Sequence, residues 1–209
     1  MRRFLQRCFA LAAALSFPLA AMAAPTPAVL GPQDQTELAQ IATYLNNIHT
    51  LSGNFQQRAG NGASAGRLWI RRPGKMRFEY DPPNPVTLFA DGFYIYYVDK
   101  DLNQVSRIAL KSTPAWFLLR DPVSFEDVIV TGVEHGSNTI RVSVVENAQP
   151  DAGSLTMTFT ENPLALRQWT VVDQEGKTTT VSLSELQFGM AIDPKLFLFQ
   201  DPNARPREP

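Results

Sequence analysis

Two histidines, His49 and His135, and one cysteine, Cys8, are the whole supply of imidazole and thiol in this 209-residue chain. A nucleophile–histidine–acid triad needs a histidine held against a serine or cysteine in space. His49 closes a helical stretch and His135 falls in the polar turn His135-Gly136-Ser137-Asn138, and neither sits in a catalytic pattern. The chain has no H-E-x-x-H, no Walker loop and no G-x-G-x-x-G. A single cysteine excludes an intramolecular disulfide framework and a cysteine-based zinc site. Paired carboxylates could hydrolyse a glycosidic bond, but the acids here fall in turns and on outward strand faces. The expectation is a protein that is not an enzyme, with no catalytic residue, no metal and no cofactor.

The basic residues form one cluster, Arg67, Arg71, Arg72, Lys75 and Arg77, around a Pro73-Gly74 turn. Lys and Arg number 19 against 20 Asp and Glu. A nucleic-acid footprint normally needs a strongly basic domain, so none is expected. Arg67, Arg71, Lys75 and Arg77 read as the solvated face of a hairpin. Arg72 differs: by strand parity it follows Leu68 and Ile70 and aims inward, the alternative being a turn residue that bends into solvent. A buried guanidinium needs carboxylate or carbonyl partners. The candidates are the free carbonyls at the end of a helix covering the sheet.

Period-two patterning dominates the elements that must position these groups. Leu51, Gly53 and Phe55 alternate with polar residues. A polar loop is expected over Ala59–Ala65, and then Leu68 and Ile70 share a face. Across the Pro73-Gly74 turn, Met76, Phe78 and Tyr80 point inward. Asp91-Gly92 marks a hairpin between Val86–Ala90 and Phe93–Val98. Leu102–Ile108, Asp127–Glu134, Thr139–Glu146, Leu155–Phe159, Leu164–Asp173 and Thr178–Leu186 complete the set. These make ten or eleven antiparallel strands with close-set turns, which implies one curved, barrel-like sheet.

Two helices interrupt the strands. Leu38, Ile41, Ala42, Leu45 and Ile48 form one apolar stripe over Thr36–His49, capped by Asp34 or Thr36. Thr113-Pro114 opens a short apolar helix through Arg120, with Thr113 as N-cap and Pro114 in the first helical position. Asp193-Pro194 begins a short capped turn near the end.

The N-terminus reads as an export signal. Arg2, Arg3 and Arg7 precede an apolar run, Cys8–Ala21, too short to span a membrane, and Ala21-Met22-Ala23 suits a peptidase. Cleavage is expected after Ala23, placing the protein in the periplasm. The signal takes three arginines and no acid with it, so the remainder carries 16 Lys and Arg against 20 acids. The expected organisation is a signal peptide 1–23, a flexible arm 24–35, one domain 36–203 and a tail 204–209.

Phe55-Gln56-Gln57, Gly66-Arg67-Leu68-Trp69-Ile70, Arg72-Pro73-Gly74-Lys75-Met76-Arg77-Phe78, Asp91-Gly92 and Asp101-Leu102-Asn103-Gln104-Val105 resemble the LolA-like periplasmic outer-membrane lipoprotein carriers. So do the Thr113-Pro114 helix and the Leu196-Phe197-Leu198-Phe199 ending. The resemblance implies a mainly β fold with an α lid: an unclosed antiparallel barrel of about 11 strands, covered by helices over an apolar cavity. It implies a chaperone that takes lipoprotein acyl chains from an inner-membrane LolCDE-type ABC transporter and delivers them to a LolB-like outer-membrane acceptor, where one exists, acting as a monomer. The expected cavity residues are Phe55, Leu68, Ile70, Met76, Phe78, Ile95, Val142, Leu155, Met157, Phe159 and Trp169. Ile41, Leu45, Trp116 and Leu119 form the lid. Arg72 matches the family arginine that latches the lid in the closed, empty form. Met76 stands where a large aromatic is common. A lipid- or lipoprotein-sensing regulator on the same half-barrel is the alternative reading.

Overall fold

A computed structural model describes residues 24–198. The export signal and the tail fall outside the described residues.

Eleven strands form one antiparallel sheet in the order β6-β5-β4-β3-β2-β1-β11-β10-β9-β8-β7. They are β1 Thr50–Ala59, β2 Gly62–Arg71, β3 Lys75–Tyr80, β4 Val86–Asp91, β5 Tyr94–Asp99, β6 Gln104–Ala109, β7 Val128–Gly136, β8 Thr139–Glu146, β9 Ser154–Glu161, β10 Leu164–Val172 and β11 Thr178–Phe188. β6 and β7 are the two ends and do not pair, so the barrel is unclosed. α1 (Pro32–Asn46) and α2 (Trp116–Leu119) supply the helical cover.

Register brings the inward residues side by side. Leu68 faces Phe78 and Ile70 faces Met76. On the other half, Val142 faces Met157, which faces Trp169, which faces Val181. Register shifts near Glu185, Arg167 and Thr131 interrupt β11, β10 and β7. Each inserts an extra residue opposite one partner, which bends the strand locally and increases its twist.

Gly66 is a close backbone approach in the sheet. A Cβ there would lie 2.0 Å from the Glu79 carbonyl oxygen. Its neighbours are Phe55 on β1 and Tyr80 on β3. Those two rings meet edge-on, 5.2 Å apart.

Four local expectations are corrected. α1 begins at Pro32 rather than Thr36, so part of the expected arm is helical: Pro32 occupies the first turn, and Asp34 accepts from the Gly31 N–H at 2.8 Å. The polar stretch 59–65 is not a loop: β1 and β2 run through it and leave a turn only at Gly60 and Asn61, because Gly60 adopts φ +55°. Thr113 does not cap α2. Its hydroxyl donates back to the Leu110 carbonyl, the chain turns tightly over Leu110–Ala115, and α2 starts at Trp116. Finally, the outer face of β3 is not fully solvated. The Pro194–Phe197 turn rests on β3 and β4, and Arg77 donates to the Leu196 carbonyl at 3.0 Å. The turn itself is capped as expected, Asp193 accepting from the Lys195 N–H.

Candidate functional site

On the concave side a cavity of about 740 Å³ lies between α2 and the sheet. At roughly 30 Å³ per water it is far larger than an interior void and falls among ligand sites. Ile70, Met76, Phe78, Leu88 and Ile95 form one wall, and Trp169, Val171 and Val181 the other. Phe78 and Trp169 meet edge-on with centroids 6.3 Å apart, joining the two halves of the sheet at the cavity floor. Pro114, Ala115, Leu118 and Leu119 make the roof. Gln57, Asp173, Glu175, Lys177 and Thr179 give a polar rim.

The expected residues divide between this cavity and a packed core. Ile70, Met76, Phe78, Ile95 and Trp169 line the cavity. Phe55, Leu68, Val142, Leu155, Met157 and Phe159 do not line it; they are at most 1% exposed and fill the core. Of the lid set, Leu119 lines the cavity. Ile41 and Leu45 are buried in the core, and Trp116 is partly buried against it. Parity explains the division only in part. All eleven point inward, and α1 packs against β10 beside Phe159. Tyr44 on α1 contacts the Phe159 ring edge-on and accepts the Leu166 N–H at 3.1 Å. α2 is shorter and leaves space below it. Val171 and Val181 were reachable from the sequence, since they share parity with Trp169 and with each other across the β10–β11 pair.

Arg72 sits where the ends of α1 and α2 meet the sheet and is 8% exposed. Its Nε donates to the Ile48 carbonyl at 2.7 Å and its Nη1 to the Arg120 carbonyl at 3.3 Å. These carbonyls lie just beyond the C-terminal ends of α1 and α2. Burial lowers the Arg72 pKa, and Asp121 opposes that shift. A guanidinium so far above neutrality stays charged. The same turn adds Gly74 N–H to the Leu119 carbonyl at 2.7 Å. Gly74 has φ +74°, and a Cβ there would lie 2.8 Å from Gly92, so glycine is required. Asn46, the last residue of α1, is tied to the segment after α2 through two bonds, to the Val123 carbonyl at 2.9 Å and from its N–H at 2.8 Å.

His135 lies at the end of β7 rather than in the turn after it. Its Nε2 is 2.7 Å from Glu37 and 3.7 Å from Asp34, both on α1. The Glu37 hydrogen bond is the main cause of its raised pKa. Gly62-Ala63-Ser64-Ala65-Gly66 spells the nucleophile-elbow pattern G-x-S-x-G. The structure runs it straight along β2, with Ser64 opposite Gln57. The pattern needs a strand-to-helix turn and a histidine partner. Here the recorded partner of Ser64 Oγ is the Asn84 amide at 3.4 Å.

The family model for the outer membrane lipoprotein carrier protein LolA matches residues 46–200. The chain belongs to the LolA family. An outer-membrane lipoprotein carrier protein of Chromobacterium violaceum is 28% identical over 195 residues, covering 89% of this chain and 94% of that protein. One from Methylococcus capsulatus is 28% identical over 184 residues, covering 81% and 86%. Among solved structures, a DUF1329 family protein from Desulfovibrio piger superposes with a TM-score of 0.51 at 8% identity, covering 79% of this chain and 96% of that one. That likeness concerns the fold alone.

Proposed function

We propose that this LolA-family protein is an exported periplasmic carrier that shields the acyl chains of lipoproteins in transit to the outer membrane. The observation that supports this best is the apolar cavity of about 740 Å³ closed by a helix end that one buried arginine holds. Its walls are aliphatic and aromatic, and its polar groups gather at the rim. That arrangement suits a ligand with long hydrocarbon chains and a polar junction.

Burying one methylene is worth roughly 0.8 kcal/mol, so a 16-carbon chain gains about 12 kcal/mol over water. A carrier must also let go. Bonds from Arg72 exist only while the lid is closed, and loading has to break them. A hydrogen bond to a charged group contributes on the order of 1.5–3 kcal/mol. The closed form therefore opposes the loaded form and favours hand-over. Loading from a LolCDE-type transporter and delivery to a LolB-like acceptor complete the reading, with the chain acting as a monomer and without catalysis.

The test is to purify the protein from periplasm and identify its bound molecules by mass spectrometry. Acylated lipoproteins in one-to-one complexes, released on adding outer membranes, are the expected result. Free lipid alone, never a lipoprotein, would overturn the carrier reading in favour of a lipid sensor.

A further inference from the structure

We propose that Arg120 is a positioning residue of the closed lid: its side chain, anchored on Glu146, holds its own carbonyl where Arg72 needs it. The proposal rests on the carrier reading above for its consequence in transport, but not for its geometry.

Arg120 follows α2 directly and is 7% exposed. Its main chain faces the latch. The N–H donates to the Trp116 carbonyl at 2.8 Å, and the carbonyl accepts from Arg72 at 3.3 Å. Its side chain turns the other way. Nη1 lies 3.5 Å from Glu146 Oε2 at the end of β8, and Nη2 donates to the Ser124 carbonyl. The guanidinium also lies 4.6 Å over the Phe117 ring. One residue thus ties the β2–β3 turn to β8, and four strands separate β2 from β8 in the sheet.

Stability alone does not account for a charged pair here. Replacing a buried ion pair by well-packed apolar side chains is often neutral or stabilising. This pair is also incompletely satisfied: Arg120 Nε and Glu146 Oε1 are buried without a hydrogen-bond partner among the described residues. What the pair supplies is placement. The guanidinium is fixed from both ends by Glu146 and Ser124, and the carbonyl it carries is the seat of the Arg72 bond.

The experiment uses the full mature protein. Arg120→Met keeps the carbonyl and an apolar stem. In cargo-free protein, hydrogen exchange at Gly74, whose N–H donates to the Leu119 carbonyl, should speed up about 10-fold, the scale of one lost charge-assisted bond. A test lipoprotein should be retained after addition of acceptor membranes, as with Arg72→Leu. The double variant should retain no more than Arg72→Leu alone, because both act through one contact. Arg120→Lys should restore part of the release. Glu146→Gln, which preserves shape, should move exchange and retention the same way by a smaller factor, and it serves where Arg120→Met does not fold. Unchanged Gly74 exchange in Glu146→Gln and in any folded Arg120→Met overturns the proposal. So do effects on retention that multiply in the double variant. If no variant binds lipoprotein, the carrier reading fails, while Gly74 exchange still decides the role of Arg120.

Discussion

Arg72→Leu removes two charge-assisted bonds to the carbonyls beyond α1 and α2 and puts an apolar side chain in their place. Loaded protein should accumulate, with affinity for lipoprotein raised roughly 10-fold or more. Arg72→Lys should fall between, because a single ammonium cannot reproduce a fork that reaches Ile48 and Arg120 together. The measurement is the fraction of a labelled lipoprotein left on each variant after mixing with acceptor membranes. Equal retention by wild type and Arg72→Leu would reduce Arg72 to a structural turn residue. Its inward aim was legible from the parity of Leu68 and Ile70, and its need for carbonyl partners followed from burying a charge. Which carbonyls it meets was not legible, because Ile48 and Arg120 are 24 and 48 residues away and come together only in the folded chain.

At the scale of elements, α1 is held at its start by an ion pair that titrates. His135 is protonated to a higher pH in the fold than in a free chain, mainly through its hydrogen bond to Glu37. Its contribution is therefore complete below about pH 6.5, the unperturbed value, and is lost as pH rises through the raised value. Hydrogen exchange in the first turn of α1 should accelerate across that window, and Glu37→Gln should lower the His135 pKa in an NMR titration. A His135 titration unmoved by Glu37→Gln would refute the tether. β2 makes a separate prediction. Gly66→Ala forces a Cβ against the Glu79 carbonyl, so denaturant unfolding should show a loss of about 1–3 kcal/mol. An unchanged unfolding midpoint would contradict that crowding.

Strand number and order of inward faces were readable because alternation is local. The length of α1 was misplaced because its cap is a glycine with an acid three residues on, whereas Asp34 and Thr36 are the stronger isolated signals. The β1–β2 turn was missed because small polar residues mark loops and also suit an exposed strand end.

At the scale of the whole molecule, the concave side is filled in part and hollow in part. Val142, Met157 and Phe159 are fully buried, with Tyr44 of α1 edge-on against Phe159. α2, four residues long, leaves a cavity bounded by residues of β2–β5 on one side and by Trp169, Val171 and Val181 of β10 and β11 on the other. Eleven inward residues looked equivalent along the chain because periodicity reports a face and not what lies above it. The most direct test of the account is site-specific photo-crosslinking in the periplasm from Phe78, which lines the cavity, and from Thr156, which alternates with the inward Leu155 and Met157. The account predicts capture of acylated lipoprotein at Phe78 and none at Thr156. Equal capture at the two positions, or capture at Thr156 alone, would contradict it.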